Sequence, residues 1–248
     1  MSHPAMWTDV VDLRDFYATP LGQMARRLVL RPIRQLWPDV TGLRVLGLGF
    51  ATPYLDSFAA EAERVLAVMP ASQGVLHWPV NQPNCTLLAE ESELPLPDRS
   101  IDRVLIVHAI ESAENIRWLL RELWRVMADG GRLMVVVPNR RGIWARLENT
   151  PFGNGRPFTA GQLSRLMRDN LFTPIHNAQA LVMPPTSSQS LIRLAPAFER
   201  TGRWFSNFAG VTIIEASKQI YAATPLREAK GQRVYLAMPQ GFSGRVQH

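Results

Sequence analysis

The chain has one cysteine, Cys85, and two lysines, Lys218 and Lys230, among its 248 residues. A lone thiol excludes an internal disulfide and any cysteine-rich zinc site, so no metal is expected and a cytoplasmic setting is the default expectation. No apolar run reaches the roughly 18 residues that a membrane-spanning helix needs, so no span is expected. The first twenty residues carry Asp9, Asp12 and Asp15 and lack a basic start followed by an apolar block, so a secretory leader is not expected either. With so few lysines, the net charge of +6 is carried almost wholly by arginine. The basic residues are scattered, which fits a compositional habit better than a phosphate-binding face. No RNA-binding signature accompanies them, which leaves nucleic acid unsupported as a partner. No internal repeat is present, and nothing in the sequence marks an oligomeric state.

What the chain does have is the ordinary make-up of a soluble protein, 46% hydrophobic and 19% charged, at a length that suits one decorated domain. Its organising stretch is 43–56, a short apolar run that ends in Gly47 and Gly49 and passes into a helix start. That is the sequence form of a first strand turning into a first helix over a ligand. Thr52 suits an N-cap, Pro53 a first helical position, and Asp56 the favourable end of the helix dipole. Gly49 permits a positive φ or a close approach to the backbone. A packed turn with no ligand fits these residues equally well.

Upstream, residues 10–37 recur at helical spacing, with Pro20 and Pro32 interrupting, which predicts two short helices. Tyr17 and the turn at 19–22 are placed to fold over a ligand as a lid, or else Tyr17 simply packs on the core. Downstream, strands are predicted at 64–69, 85–88, 101–107 and 133–137, with 70–83 irregular. An amphipathic helix over 116–127 is closed by Gly130 and Gly131 as a C-cap. Thr159 caps a helix that runs to Asp169. A sixth strand is expected over 175–183, a helical cap over 187–208, a final strand over 211–222, and a further strand-like run at 234–238. Strands alternating with helices predict a doubly wound, mostly parallel α/β sheet. The expected organisation is a single domain over 1–248: a helical lid at 1–40, a core at 41–183, a helical cap insertion at 184–209, and a last strand with tail at 210–248.

One group of residues is more specific. Leu94-Pro95-Leu96-Pro97-Asp98, then Ile101-Asp102, His108 and Glu111, the run from Leu120 to Leu133 through Gly130-Gly131, Pro138-Asn139, and Phe158-Thr159-Ala160-Gly161-Gln162-Leu163 occur in this order. Together they resemble the class I S-adenosylmethionine-dependent methyltransferases, in particular the small-molecule branch called type 11. The resemblance covers 43–172 and implies a Rossmann-like fold with a seven-stranded, mostly parallel sheet and helices on both faces. It also implies S-adenosylmethionine as cofactor, lying over the first glycine turn, with an acid after the second strand for the ribose and one after the third for the adenine. In this chain the usual first-strand acid is Gly47, the later turn glycines are Ala51 and Pro53, and the ribose acid is Met69. Gly49 keeps the pattern, and Glu90 stands where the adenine acid is usual. Losing a charged acceptor for ribose costs on the order of 1.5 to 3 kcal/mol per hydrogen bond, or about ten- to a hundredfold in affinity. Met69 offers apolar packing in its place.

The resemblance thus marks Tyr17, Gly47, Gly49, Phe50, Met69, Glu90, Glu91 and His108 as cofactor-binding candidates. Methyl transfer from a sulfonium needs alignment, exclusion of water and, where the acceptor must lose a proton, a base. His108 at the end of the fourth strand is the first candidate for that base and Glu111 the second; a histidine that merely holds backbone is the competing reading. Arg140 and Arg141 follow the fifth strand, where they face an anionic substrate or only solvent. Three functions stay open: a methyltransferase for a small-molecule or lipid-like acceptor, a catalytically inactive binding or regulatory relative, and an RNA methyltransferase.

Overall fold

The computed structural model describes residues 9–147, 150–186, 188 and 209–219. The expected helical cap at 187–208, apart from Ser188, and the run at 234–238 lie outside them. Five strands, β1 (Arg44–Gly49), β2 (Arg64–Pro70), β3 (Thr86–Ala89), β4 (Ile101–Val107) and β5 (Met127–Pro138), are parallel. β6 (Phe172–Ala180) and β7 (Val211–Lys218) complete one seven-stranded sheet in the order β3-β2-β1-β4-β5-β7-β6, with β7 antiparallel to both its neighbours. The doubly wound α/β fold expected from the sequence is therefore present. Central strands covered on both faces need near-continuous apolar runs, and β1, β4 and β5 have them.

Alternation along those strands divides the core in two. Val45, Met69, Leu105, Val107, Met134, Val136 and Ile213 face α1 (Val10–Ala18), α2 (Pro20–Leu36) and α3 (Thr52–Leu55). Leu46, Leu48, Val104, Ile106, Leu133, Val135 and Ile214 face α4 (Ile116–Val126) and α5 (Ala160–Asp169). Thr19 separates the first two helices, its hydroxyl accepting from the Gly22 amide ahead of Pro20 at the helix start. Pro32 does not end α2, because Val29 and Ile33 are fully buried on either side of it and the helix runs on to Leu36. The same helix delivers Trp37, whose indole N–H donates to Glu215 of β7 at 2.9 Å.

Several boundaries differ from the sequence reading. Thr52 does not cap α3; Ala51 precedes the helix and its carbonyl accepts from Tyr54, so Thr52 lies in the first turn. Gly130 and Gly131 do not cap α4. The helix stops at Val126 and β5 begins at Met127, which pairs with Ile101 and whose carbonyl accepts from the Lys218 ammonium. β6 starts earlier than expected because Phe172 pairs with Lys218 of β7. Among the described residues, no helix is long and apolar enough to cross a membrane, and no cluster of three or more His, Cys, Asp or Glu is placed to hold a metal.

Candidate active site

The C-terminal ends of the parallel strands meet above the turn that follows β1. Gly49 has φ +75°, and a Cβ there would run into the Val107 carbonyl oxygen and lie 2.8 Å from Ala109 Cβ. The glycine therefore lets β1 close onto the end of β4, where the Phe50 amide donates to Val107 at 2.8 Å. Gly47 serves packing: a Cβ would press on Leu55 and Ala51. One residue beyond β4, His108 has φ +54°, left-handed backbone that a non-glycine residue holds only where its surroundings enforce it.

Those surroundings are buried and polar. Tyr17 of α1 reaches down so that its hydroxyl lies 2.9 Å from His108 Nε2 and 2.9 Å from the Tyr54 hydroxyl. Its ring stacks on Phe50 at 5.7 Å. On the other side of the imidazole, Nδ1 is 3.3 Å from Glu111 Oε1, with both side chains 5% exposed. The Gln73 amide donates to the His108 carbonyl, and the Gln73 carbonyl accepts from Val10 at the start of α1. Burial pushes the Tyr17 hydroxyl well above its ordinary pKa, aided by Tyr54 and the Glu111 charge; burial also raises Tyr54. Both phenols stay protonated at neutral pH, able to donate.

The structure thus gathers Tyr17, Gly49, Phe50, His108 and Glu111 at one place. Tyr17 is not a lid lying over an open ligand space, since it is buried within the cluster against the turn. Met69 is 1% exposed in the same core, and its sulfur accepts from the Leu76 amide at 3.4 Å, so the thioether already serves the chain itself. Glu90 and Glu91 sit apart, just past β3. Glu90 is exposed, while burial and the Glu114 charge raise the Glu91 carboxyl. Arg140 and Arg141 are exposed, and Arg140 Nε donates to the Pro157 carbonyl. Sequence reasoning missed Tyr54, Gln73 and Phe152, whose ring lies 4.9 Å from that of His108. Gln73 falls in an irregular stretch and Phe152 in a loop, where no period marks a role.

A profile described as a methyltransferase domain matches residues 46–135. A probable S-adenosylmethionine-dependent methyltransferase of Mycobacterium tuberculosis is 32% identical over 146 residues, which is 57% of this chain and 53% of the relative. The chain thus spans about half the length of that relative. A ubiquinone/menaquinone biosynthesis C-methyltransferase of Rubrivivax gelatinosus is 23% identical over 199 residues, covering 79% of this chain and 77% of the relative. Among solved structures, the 1,6-didemethyltoxoflavin N1-methyltransferase of Burkholderia thailandensis, which holds 1,6-didemethyltoxoflavin and S-adenosylhomocysteine, aligns with TM-score 0.56 at 15% identity over 85% of each chain. At that identity the likeness is one of fold.

Two of the three features expected around an adenosyl group are present. The turn at Gly49 is formed, and an exposed carboxylate, Glu90, stands past β3. The ribose acceptor past β2 is missing, because Met69 is apolar and buried.

Proposed function

We propose that the chain, which is similar over residues 46–135 to a methyltransferase domain and over 146 residues to a probable S-adenosylmethionine-dependent methyltransferase, is a class I methyltransferase that binds S-adenosylmethionine across the ends of β1 to β4 and methylates a small-molecule or lipid-like acceptor. When bound, that group supplies a methyl carbon attached to positively charged sulfur, open to in-line displacement. In this reading the turn at Gly47 and Gly49 carries the amino-acid end, Phe50 packs beside the nucleoside, and Glu90 accepts from the adenine amine with Glu91 beside it. Tyr17, buried against the turn in the structure, moves aside to admit the ligand. His108 takes a proton from acceptors that must lose one, with the Glu111 carboxylate close to its other ring nitrogen.

The observation that carries this reading is His108 itself. It is held in left-handed backbone at the end of β4, opposite Gly49, between a phenol and a carboxylate. Strain of that kind costs on the order of 1–3 kcal/mol and gathers at sites of function. Titration calorimetry with S-adenosylmethionine and S-adenosylhomocysteine tests the proposal. Saturable heat is expected, with Glu90→Ala weakening it about tenfold; no heat at millimolar ligand would sink it.

A second reading, a relative that keeps the fold without catalysis, is favoured by the stacking of buried Tyr17 on Phe50 beside the turn and by the burial of Met69. It predicts no heat with either nucleoside, whether Tyr17 is present or truncated to alanine.

A further inference from the structure

We propose that Glu111 and the aromatic rings beside it seat the positive charge of the methyl acceptor, so that the acceptor is an amine that arrives as an ammonium ion. This rests on the methyl-transfer reading above and narrows it to one class of nucleophile. The Glu111 side chain is 5% exposed, yet neither carboxylate oxygen accepts a hydrogen bond from any described residue. Its main chain is fixed independently of that charge: the Glu111 carbonyl accepts from the Arg156 amide at 2.8 Å, and Gly155 packs closely on the Glu111 backbone. His108 Nδ1, 3.3 Å from Oε1, is out of hydrogen-bonding alignment and approaches only that oxygen. Two acceptor oxygens are therefore held in a dry place without donors, an arrangement that a ligand with several N–H groups completes.

The rings around His108, which lies 3.3 Å from Glu111, point to the same chemistry. Phe16, Tyr17, His108 and Phe152 form a closed circuit, with successive centroids 5.3, 5.9, 4.9 and 6.2 Å apart. Aromatic rings beside a carboxylate favour a cation over a neutral group of equal size. A primary ammonium brings three donors, enough for both Glu111 oxygens, whereas a hydroxyl brings one. Before it can react the ammonium must lose a proton, and His108, 3.3 Å from Glu111, takes it. The nitrogen lone pair so freed forms the bond to the methyl carbon, and the electron pair of the broken carbon–sulfur bond stays on sulfur. Access to Glu111 requires the same withdrawal of Tyr17 that admits the cofactor.

The test uses the full chain and two matched probe pairs, methylammonium against methanol and benzylammonium against benzyl alcohol, followed by calorimetry and thermal unfolding. The cations are expected to bind saturably, their neutral partners not. Glu111→Gln, which keeps the shape and removes the charge, is expected to weaken cation binding about tenfold or more. Phe152→Leu, which removes one ring and leaves the carboxylate, is expected to weaken it less and serves if the first variant does not fold. Equal binding of alcohols and cations, retention in Glu111→Gln, or no binding of either cation would overturn the proposal. So would an equal loss of S-adenosylhomocysteine affinity in Glu111→Gln, since Glu111 would then serve the cofactor's own ammonium. The methyl-transfer reading fails separately, through absence of heat with S-adenosylhomocysteine.

Discussion

Replacing Gly49 by alanine should destabilise the protein far more than the same change at Gly42, although both residues have positive φ, +75° and +69°. At Gly42, exposed and with nothing within 4 Å of the added Cβ, only the left-handed backbone is penalised, by about 1–2 kcal/mol. Gly49 bears the same penalty and a collision with the Val107 carbonyl and Ala109 Cβ. Relieving that collision pushes β1 away from β4 and breaks the hydrogen bond from Phe50 to Val107, worth about 1 kcal/mol, on top of an overpacking cost of about 1–3 kcal/mol. The excess over Gly42→Ala is thus about 2–4 kcal/mol, or roughly 5–15 °C in unfolding midpoint for a chain of this length. Paired thermal unfolding by circular dichroism measures it directly. Equal midpoints for the two variants would refute the claim that Gly49 exists to let β4 approach.

Three further outcomes are expected. Tyr17→Phe removes the hydroxyl that bridges Tyr54 and His108 inside the core and should cost about 1–3 kcal/mol in urea unfolding; an unchanged midpoint would show that the bridge adds nothing. Thr159→Ala breaks a capping box in which the Thr159 hydroxyl and the Gln162 side chain each accept a backbone N–H, and should cost about 1 kcal/mol by the same measurement. Glu215 is fully buried; burial pushes its carboxyl up, but donation from His176, Trp37 and Arg132 outweighs that and holds it below the ordinary value. Its stabilising contribution is therefore complete above the unfolded value, near pH 4.5, and fades as pH falls through the lower folded value. The stability gap between wild type and Glu215→Gln should shrink on acidification below that point, and a gap that stays constant to pH 3 would contradict the assignment.

The sheet could be read from sequence because its central strands must be apolar on both faces. Runs such as 101–107 and 133–137 leave few alternatives once amphipathic helices separate them. Local signals failed where a distant partner decided the outcome. Gly130 and Gly131 carry a helix-ending signature, yet Met127 already belongs to β5 because Ile101 and Lys218 engage it. Thr52 has the chemistry of a cap but follows Ala51, which begins the turn. At the site, His108 and Glu111 were found through their place after a strand. For Tyr17 the sequence left a lid and a core side chain equally open, because the choice depends on how α1 packs against Phe50 and His108. Gln73 was invisible for a like reason, since its anchor on His108 arises only when an irregular loop folds back.

The place of β7 inside the sheet bears on how the polypeptide matures as it leaves the ribosome. β6 is made first, but among the described residues its neighbour in the sheet is β7, so that pairing must wait while the residues between the two strands are translated. Trp37 of the second helix waits as well, its bond to Glu215 spanning 178 positions. A nascent chain halted before residue 211 would hold five aligned strands with an open flank at β5, prone to capture by any exposed strand nearby. Completion of the last described strand is what joins the amino-terminal helices to the far side of the sheet.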